Sequence, residues 1–98
     1  MTQQDPSHPP PSQKDSLIDF PAPFPIKAMG ENSAEFVEAV KSIAARHDPQ
    51  FDATTIELRE SAQGKYLGIT ITVLATSREQ LDNIYRELTA HPLSKMVL

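Results

Sequence analysis

The sequence predicts an α+β domain in which two helices cover one face of a four-stranded antiparallel sheet. Three observations indicate this class. Stretches with strand alternation and stretches with helical periodicity follow one another in the order β-α-β-β-α-β. The longest alternating stretch has the unbroken apolar side of a central strand. Each predicted helix is long enough to cover part of a small sheet, which gives a two-layer structure.

The first predicted strand runs from Phe24 to Met29, because every second residue there is apolar and would share one face. Pro23 and Pro25 are expected at the start of this strand, since proline cannot donate a hydrogen bond to a β-ladder. Gly30 is expected to end it.

The first helix is predicted to begin at Asn32, which has the spacing of a capping box with Glu35. Asp48-Pro49 should end this helix, because the residue before a proline avoids helical backbone angles. The residues between them that recur with helical periodicity form its apolar stripe: Phe36, Val37, Val40, Ile43, Ala44 and His47.

A second strand is predicted from Thr54 to Glu60, with Ile56 and Leu58 directed inward. Gly64 follows in a hairpin turn, where we expect a positive φ angle. The third strand, Lys65 to Ala75, has the strongest alternation in the chain. One side of it carries Leu67, Ile69, Ile71 and Val73, and the other carries Tyr66, Gly68, Thr70, Thr72 and Leu74.

Ser77 and Gln80 form a capping box that predicts the start of a second helix. Its apolar face consists of Leu81, Ile84, Tyr85 and Leu88. A short terminal strand follows from Ser94 to Leu98. Short connections and pairing between neighbours favour a ferredoxin-like sandwich, with the first and third strands in the centre of the sheet.

Composition divides the chain into a leader and one domain. Seven of the 9 prolines lie in the first 25 residues. Residues 1–16 contain almost no apolar side chains and are predicted to be a disordered Pro-rich leader, while residues 17–98 form the domain. No apolar run approaches the length of a membrane span, and the leader lacks the apolar core of a signal peptide, so we expect a cytoplasmic protein without a membrane partner.

No set of residues indicates catalysis, a metal or a cofactor. The chain has no Cys, which excludes a thiolate nucleophile and Cys-ligated zinc or iron–sulfur clusters. His47 and His91 have neither a second His four residues away nor a neighbouring nucleophile. Glu57 and Glu60 should lie on opposite faces of their strand, because their spacing is odd. The sequence therefore predicts a protein that is not an enzyme.

The uncovered face of the predicted sheet is the surface most worth testing. Lys27 and Met29 should lie there on the first strand, and Tyr66, Thr70 and Thr72 on the third. Met29, Tyr66 and Leu74 would then form an apolar patch. RNA-recognition domains use this face for stacking, but it offers one ring here, and the formal charge of −4 disfavours nucleic acid as a partner.

Several short motifs, in this order, resemble the YbeD-like family of small bacterial proteins of unknown function. They are Phe20-Pro21, the strand 25–30, the hairpin 61–66, the strand 69–72 and the terminal Met96-Val97-Leu98. The resemblance covers residues 17–98 and implies a ferredoxin-like fold similar to the ACT regulatory domains of metabolic enzymes. It also implies a role in sensing a metabolite or in modulating a partner enzyme.

Two main hypotheses about function follow. The first is a non-enzymatic regulatory or protein-interaction domain that binds a protein through the open face. The second is an ACT-like domain that senses a small metabolite at the loop around Gly30, in a homodimer; an RNA-binding module ranks below both. The predicted ligand or partner surface comprises Lys27, Met29, Gly30, Tyr66, Thr70 and Thr72.

Overall fold

A computed structural model describes residues 19–98, and the Pro-rich leader predicted over residues 1–16 lies outside them. The strands and helices are β1 (Ala22–Glu31), α1 (Ala34–His47), β2 (Glu57–Glu60), β3 (Tyr66–Ala75), α2 (Arg78–Ala90) and β4 (Ser94–Val97). The strands form one antiparallel sheet in the order β2-β3-β1-β4. This is the predicted ferredoxin-like topology, with the first and third strands central.

The core lies between the helices and one face of the sheet. Alternate residues of the central strands supply the sheet side of this core, and the apolar stripes of α1 and α2 supply the other side. The buried apolar residues are Ile26, Ala28, Phe36, Val40, Ile43, Ala44, Leu67, Ile69, Ile71, Val73, Ala75, Leu81, Ile84 and Leu88. The apolar alternation predicted for β3 is thus confirmed along the whole strand.

Two prolines fit into the central strand β1 because of the direction in which their N–H groups would point. Lys27 donates its N–H to the Leu98 carbonyl, and Glu31 donates to the Leu93 carbonyl, both at 3.2 Å on the β4 side. By the alternation of a strand, Pro23 and Pro25 face the same side, beyond the last hydrogen bonds with β4. The missing donors therefore cost the sheet no ladder bond.

Gly30 was predicted to end the first strand, and this prediction is wrong. It lies within β1 opposite Leu67 and is buried on the side that faces the helices. A Cβ atom at this position would come within 2.7 Å of the Phe36 ring and would also collide with the Leu93 carbonyl oxygen. Gly30 is therefore required by close packing rather than by a turn.

The first helix begins one residue later than predicted. Ser33 is its N-cap, and the Ser33 hydroxyl accepts a hydrogen bond from the Phe36 N–H at 3.1 Å. Asn32 instead joins the end of β1 to the β2–β3 hairpin. Its side chain donates to the Gly64 carbonyl at 2.8 Å, and its N–H donates to the Lys65 carbonyl at 3.1 Å.

The second strand is shorter than predicted. Ala53–Thr55 forms a 3₁₀ turn, and only Glu57–Glu60 pairs with β3. Leu58 lies opposite Ile69, which places its side chain on the helix-facing side as predicted. It remains 55% exposed, because β2 is an edge strand and the helix layer leaves this position uncovered.

Polar side chains join the ends of the helices to the far end of β3. The buried Asp48 carboxylate accepts hydrogen bonds from the N–H groups of Leu74, at 2.9 Å, and Gln50, at 3.0 Å. The Gln80 amide donates to the carbonyls of His47, at 2.9 Å, and Leu74, at 3.1 Å. These contacts fix both helices against the sheet and leave its other face open.

Candidate functional site

The open face of the sheet is the side opposite the helices, and strand register determines which of its residues are neighbours. Directly opposed residues on an antiparallel sheet share a face and lie in rows across the strands. One row consists of Met96, Met29, Gly68 and Arg59, and the next consists of Leu98, Lys27, Thr70 and Glu57. The four strands thus bring together side chains that are far apart in sequence.

A groove of about 400 Å³ runs over these rows between β1 and β2. Gly68 forms its floor, where the absence of a side chain leaves the depression. A Cβ atom added to Gly68 would meet the Met29 Cε atom at 3.9 Å and the Arg59 carbonyl oxygen at 3.6 Å, which are ordinary contact distances. A Cβ atom can therefore be added at Gly68 without a close contact, and a longer side chain would extend into the groove from there.

The walls of this groove combine apolar surface with charge. Met29, which is 40% exposed, and the half-buried Tyr66 ring supply the apolar part. Lys65 places its ammonium 5.4 Å from the centre of the Tyr66 ring, within the range of a cation–π contact. Within residues 19–98, the side chains of Lys27 and Arg59 have no hydrogen-bond or ion-pair partner.

Four of the six residues predicted for the binding surface lie together in the groove: Lys27, Met29, Tyr66 and Thr70. Thr72 lies on the same face but outside the groove, in a shallow depression beside Pro23 and Leu74. Gly30 lies on the other side of the sheet, against Phe36, and does not contribute to this surface. The structure therefore divides the predicted set into a cluster and two separate positions.

The predicted apolar patch of Met29, Tyr66 and Leu74 is not continuous. Met29 lies opposite Gly68 in the register of β1 and β3, six residues before Leu74. At the rise of a β-strand this spacing corresponds to about 20 Å. Met29 instead has Met96 of β4 as its cross-strand neighbour, and Met96 is 54% exposed.

The contribution of β2 to the groove was missed by sequence reasoning. Glu57, Arg59 and Ser61 form the wall on that side. Glu57 and Arg59 alternate correctly for one face of a strand, but the hairpin register is needed to place them beside Thr70 and Gly68. The φ angle of 74° at Gly64 confirms the predicted turn that sets this register.

The histidines of the described domain have structural partners. His47 and Arg46, at the end of α1, both contact the Glu87 carboxylate of α2 at 2.5 Å. The Nδ1 atom of His91 accepts a hydrogen bond from the Leu93 N–H at 3.1 Å. Over residues 19–98, no group of three His, Asp or Glu side chains is arranged to hold a metal ion.

No helix in this range is long and apolar enough to cross a membrane.

Fold and topology define the class of this protein as a ferredoxin-like α+β sandwich. The solution structure of HP0495 from H. pylori has a similar fold, with a TM-score of 0.68 and 13% sequence identity over 93% of this chain and 96% of that one. At this level of identity the likeness concerns the fold alone.

Sequence similarity identifies the family. The family described as "Protein of unknown function (DUF493)" matches residues 15–98. A UPF0250 protein of Leptothrix cholodnii is 54% identical over 86 residues, which are 88% of this chain and 94% of that protein. A UPF0250 protein of Paraburkholderia phytofirmans is 51% identical over 87 residues, 89% of this chain and 98% of that protein. The chain belongs to this DUF493/UPF0250 family of small bacterial proteins of unknown function, which confirms the resemblance to YbeD-like proteins.

Proposed function

We propose that this domain is a non-enzymatic interaction module that binds a protein partner through the groove on the open face of the sheet. The observation that supports this proposal is the groove above Gly68, which is lined by Met29, the Tyr66 ring and Lys27, a lysine without an ion-pair partner among residues 19–98. Aromatic and Met side chains are enriched where proteins bind one another, and a surrounding polar rim gives specificity.

The shape of the groove favours a protein over a small molecule. Its volume of about 400 Å³ lies within the range of ligand pockets. However, it is a depression in an open sheet with walls on two sides, whereas a pocket for a small ligand surrounds most of that ligand. A side chain projecting from a partner would fill the depression, and the surrounding sheet would contact the partner's backbone.

Packing at Gly30 disfavours the alternative hypothesis of ligand sensing at this residue. The Phe36 ring and the Leu93 carbonyl already occupy the volume beside this residue. A metabolite on the helix-facing side of Gly30 would have to displace the Phe36 ring. The open face therefore remains the proposed binding surface.

Substitution of the groove floor tests the proposal. Gly68→Leu fills the groove, and Thr72→Leu adds the same side chain to the same face outside it. Wild type, both variants and the double variant Tyr66→Ala with Thr70→Lys are tagged and used to capture partners from a lysate of the source bacterium. We expect wild type and Thr72→Leu to retain the same partner, and the other two variants to lose it.

The binding surface is then mapped by amide chemical shifts of the labelled domain in the presence of the purified partner. Shifts clustered at β1, β2 and β3 around Gly68 support the proposal. Capture that persists in Gly68→Leu, or shifts confined to the helices, would contradict it. Circular dichroism of every variant establishes that lost capture does not arise from unfolding.

A further inference from the structure

The edge strand β2 is the second surface with an unassigned role. Among residues 19–98 it pairs with β3 alone, and all of its residues, Glu57–Glu60, are exposed. We propose that β2 binds antiparallel to β2 of a second copy of this chain, which joins two four-stranded sheets into one of eight strands. The argument rests on backbone direction, register and charge.

Backbone direction determines which groups are available for a second copy. Ser61 donates its N–H to the Tyr66 carbonyl of β3 at 2.9 Å. By alternation, the N–H and C=O groups of Glu57 and Arg59 also face β3, while those of Leu58 and Glu60 face outward. A two-fold pair of β2 strands therefore forms its hydrogen bonds through Leu58 and Glu60.

One register between the two β2 strands both pairs opposite charges and buries the exposed Leu58 side chain. With Leu58 opposite Leu58 of the second copy, the two strands exchange a pair of N–H to C=O bonds at the symmetry axis. Each Leu58 side chain, 55% exposed in the single chain, then lies against its counterpart on the helix side of the sheet. On the open face, Glu57 of each copy lies opposite Arg59 of the other, so two opposite-charge pairs form.

Other registers also use the outward N–H and C=O groups of Leu58 and Glu60, but they place like charges opposite one another. A shift of the pairing in one direction places Arg59 against Arg59, and a shift in the other places Glu57 against Glu57. A further shift toward the hairpin places Glu60 against Glu60. Like charges directly opposite one another destabilise a pair of strands, so charge selects the register centred on Leu58.

The arrangement of charges on β2 differs from that of an edge strand whose charges only prevent pairing with other chains. Charged residues on edge strands commonly prevent unwanted pairing. An edge of one sign repels a second copy in every register, whereas β2 carries opposite charges two residues apart around an exposed leucine. Within residues 19–98, Glu57 and Arg59 have no side-chain partner in the single chain. Pairing would supply one for each.

This inference goes beyond the proposed function and adds to the geometry of the groove. Glu57 and Arg59 belong to its outer wall. In the pair, Arg59 of the second copy lies beside Glu57, so the two grooves adjoin across the symmetry axis. The contact area of two short strands is small, and we therefore expect a weak, reversible dimer.

Sedimentation velocity of the full chain from micromolar to millimolar concentration tests the proposal. We expect wild type to show a reversible monomer–dimer equilibrium. Arg59→Glu and Glu57→Arg each replace two attractive pairs by two repulsive ones and should weaken the dimer by about tenfold or more. Lys95→Glu, a charge reversal on the opposite edge strand β4, is the matched control and should leave the equilibrium unchanged.

Charge exchange gives the sharpest readout. An equimolar mixture of Arg59→Glu and Glu57→Arg chains restores both attractive pairs and should form a heterodimer, and the double variant should again form a homodimer. A wild type that stays monomeric at millimolar concentration would overturn the proposal, as would a dimer that neither reversal weakens. Neither result bears on the protein-binding groove, because that test uses Gly68, which lies on β3.

Discussion

Asp48 acts in this structure as a substitute for a missing strand. The N–H groups of even-numbered residues of β3 point toward β2, but β2 ends opposite Thr70. Beyond that point no strand within residues 19–98 pairs with the Leu74 N–H, and the Asp48 carboxylate accepts its hydrogen bond at 2.9 Å. The other carboxylate oxygen accepts from the Gln50 N–H at 3.0 Å. We predict that removal of this carboxylate destabilises the domain.

The expected cost of Asp48→Ala follows from these two bonds. Asp48 is only 4% exposed, so water does not readily replace the carboxylate beside the half-buried Leu74. A hydrogen bond to a charged group contributes about 1.5–3 kcal/mol, and the partly buried bond from Gln50, whose residue is exposed to water, adds less. We therefore expect the free energy of unfolding to fall by about 2–4 kcal/mol. Asp48→Asn keeps one acceptor oxygen and should lose about half as much.

Urea denaturation followed by circular dichroism measures both variants against wild type. Equal m-values would show that the change lies in stability and not in the extent of unfolding. Hydrogen exchange of the Leu74 amide reports on the particular bond and should accelerate in Asp48→Ala. A loss below about 0.5 kcal/mol, within the range of a neutral surface change, would refute the reasoning.

The remaining predictions concern packing, ionisation and contact between the helices. Gly30→Ala should reduce the free energy of unfolding by about 1–3 kcal/mol through overpacking. Gly68→Ala should leave this free energy unchanged, because its added carbon meets ordinary contacts. Urea unfolding of both variants tests this difference. The hydroxyl and then the N–H of Thr54 hold the pKa of Asp52 below its usual 3.8, so Thr54→Val should raise that pKa in an NMR titration. Because the pKa of Asp52 is lowered in the folded state, the stability that these hydrogen bonds add to wild type is lost as the pH falls through that pKa. An unchanged Asp52 pKa in Thr54→Val would contradict the assignment of the shift to Thr54. Glu87→Ala removes the carboxylate shared by the last two residues of α1 and should cost about 1 kcal/mol or less, since the group is partly exposed.

Local sequence patterns were sufficient for the order of elements and for most core residues. The alternation in β3 and the apolar stripe of α1 depend on side-chain periods of 2 and 3.6, which any segment displays before it meets the rest of the chain. The cap at Ser77 and the end of α1 at Asp48 are equally local, because the groups concerned lie within a few residues of one another. The family resemblance followed from the same short segments.

Prediction was wrong where the outcome depended on contacts with another element of the fold. Gly30 resembles a strand terminator, but Phe36 and Leu93 pack against it. Asn32 resembles a helix cap, yet its hydrogen bonds go to the hairpin at Gly64 and Lys65. A glycine or an asparagine is compatible with several local conformations, so its neighbours decide which one is adopted.

The candidate site shows the same division between sequence and structure. The sequence by itself determined that Lys27, Met29, Tyr66 and Thr70 lie on one face of the sheet, because alternation fixes the face of a strand residue. Only the tertiary structure decided that Gly68 and Arg59 complete their groove, and that Leu58 faces the helix side yet stays exposed. The physical reason is that periodicity determines direction, whereas neighbours and burial depend on the register between strands and on how far the helix layer extends.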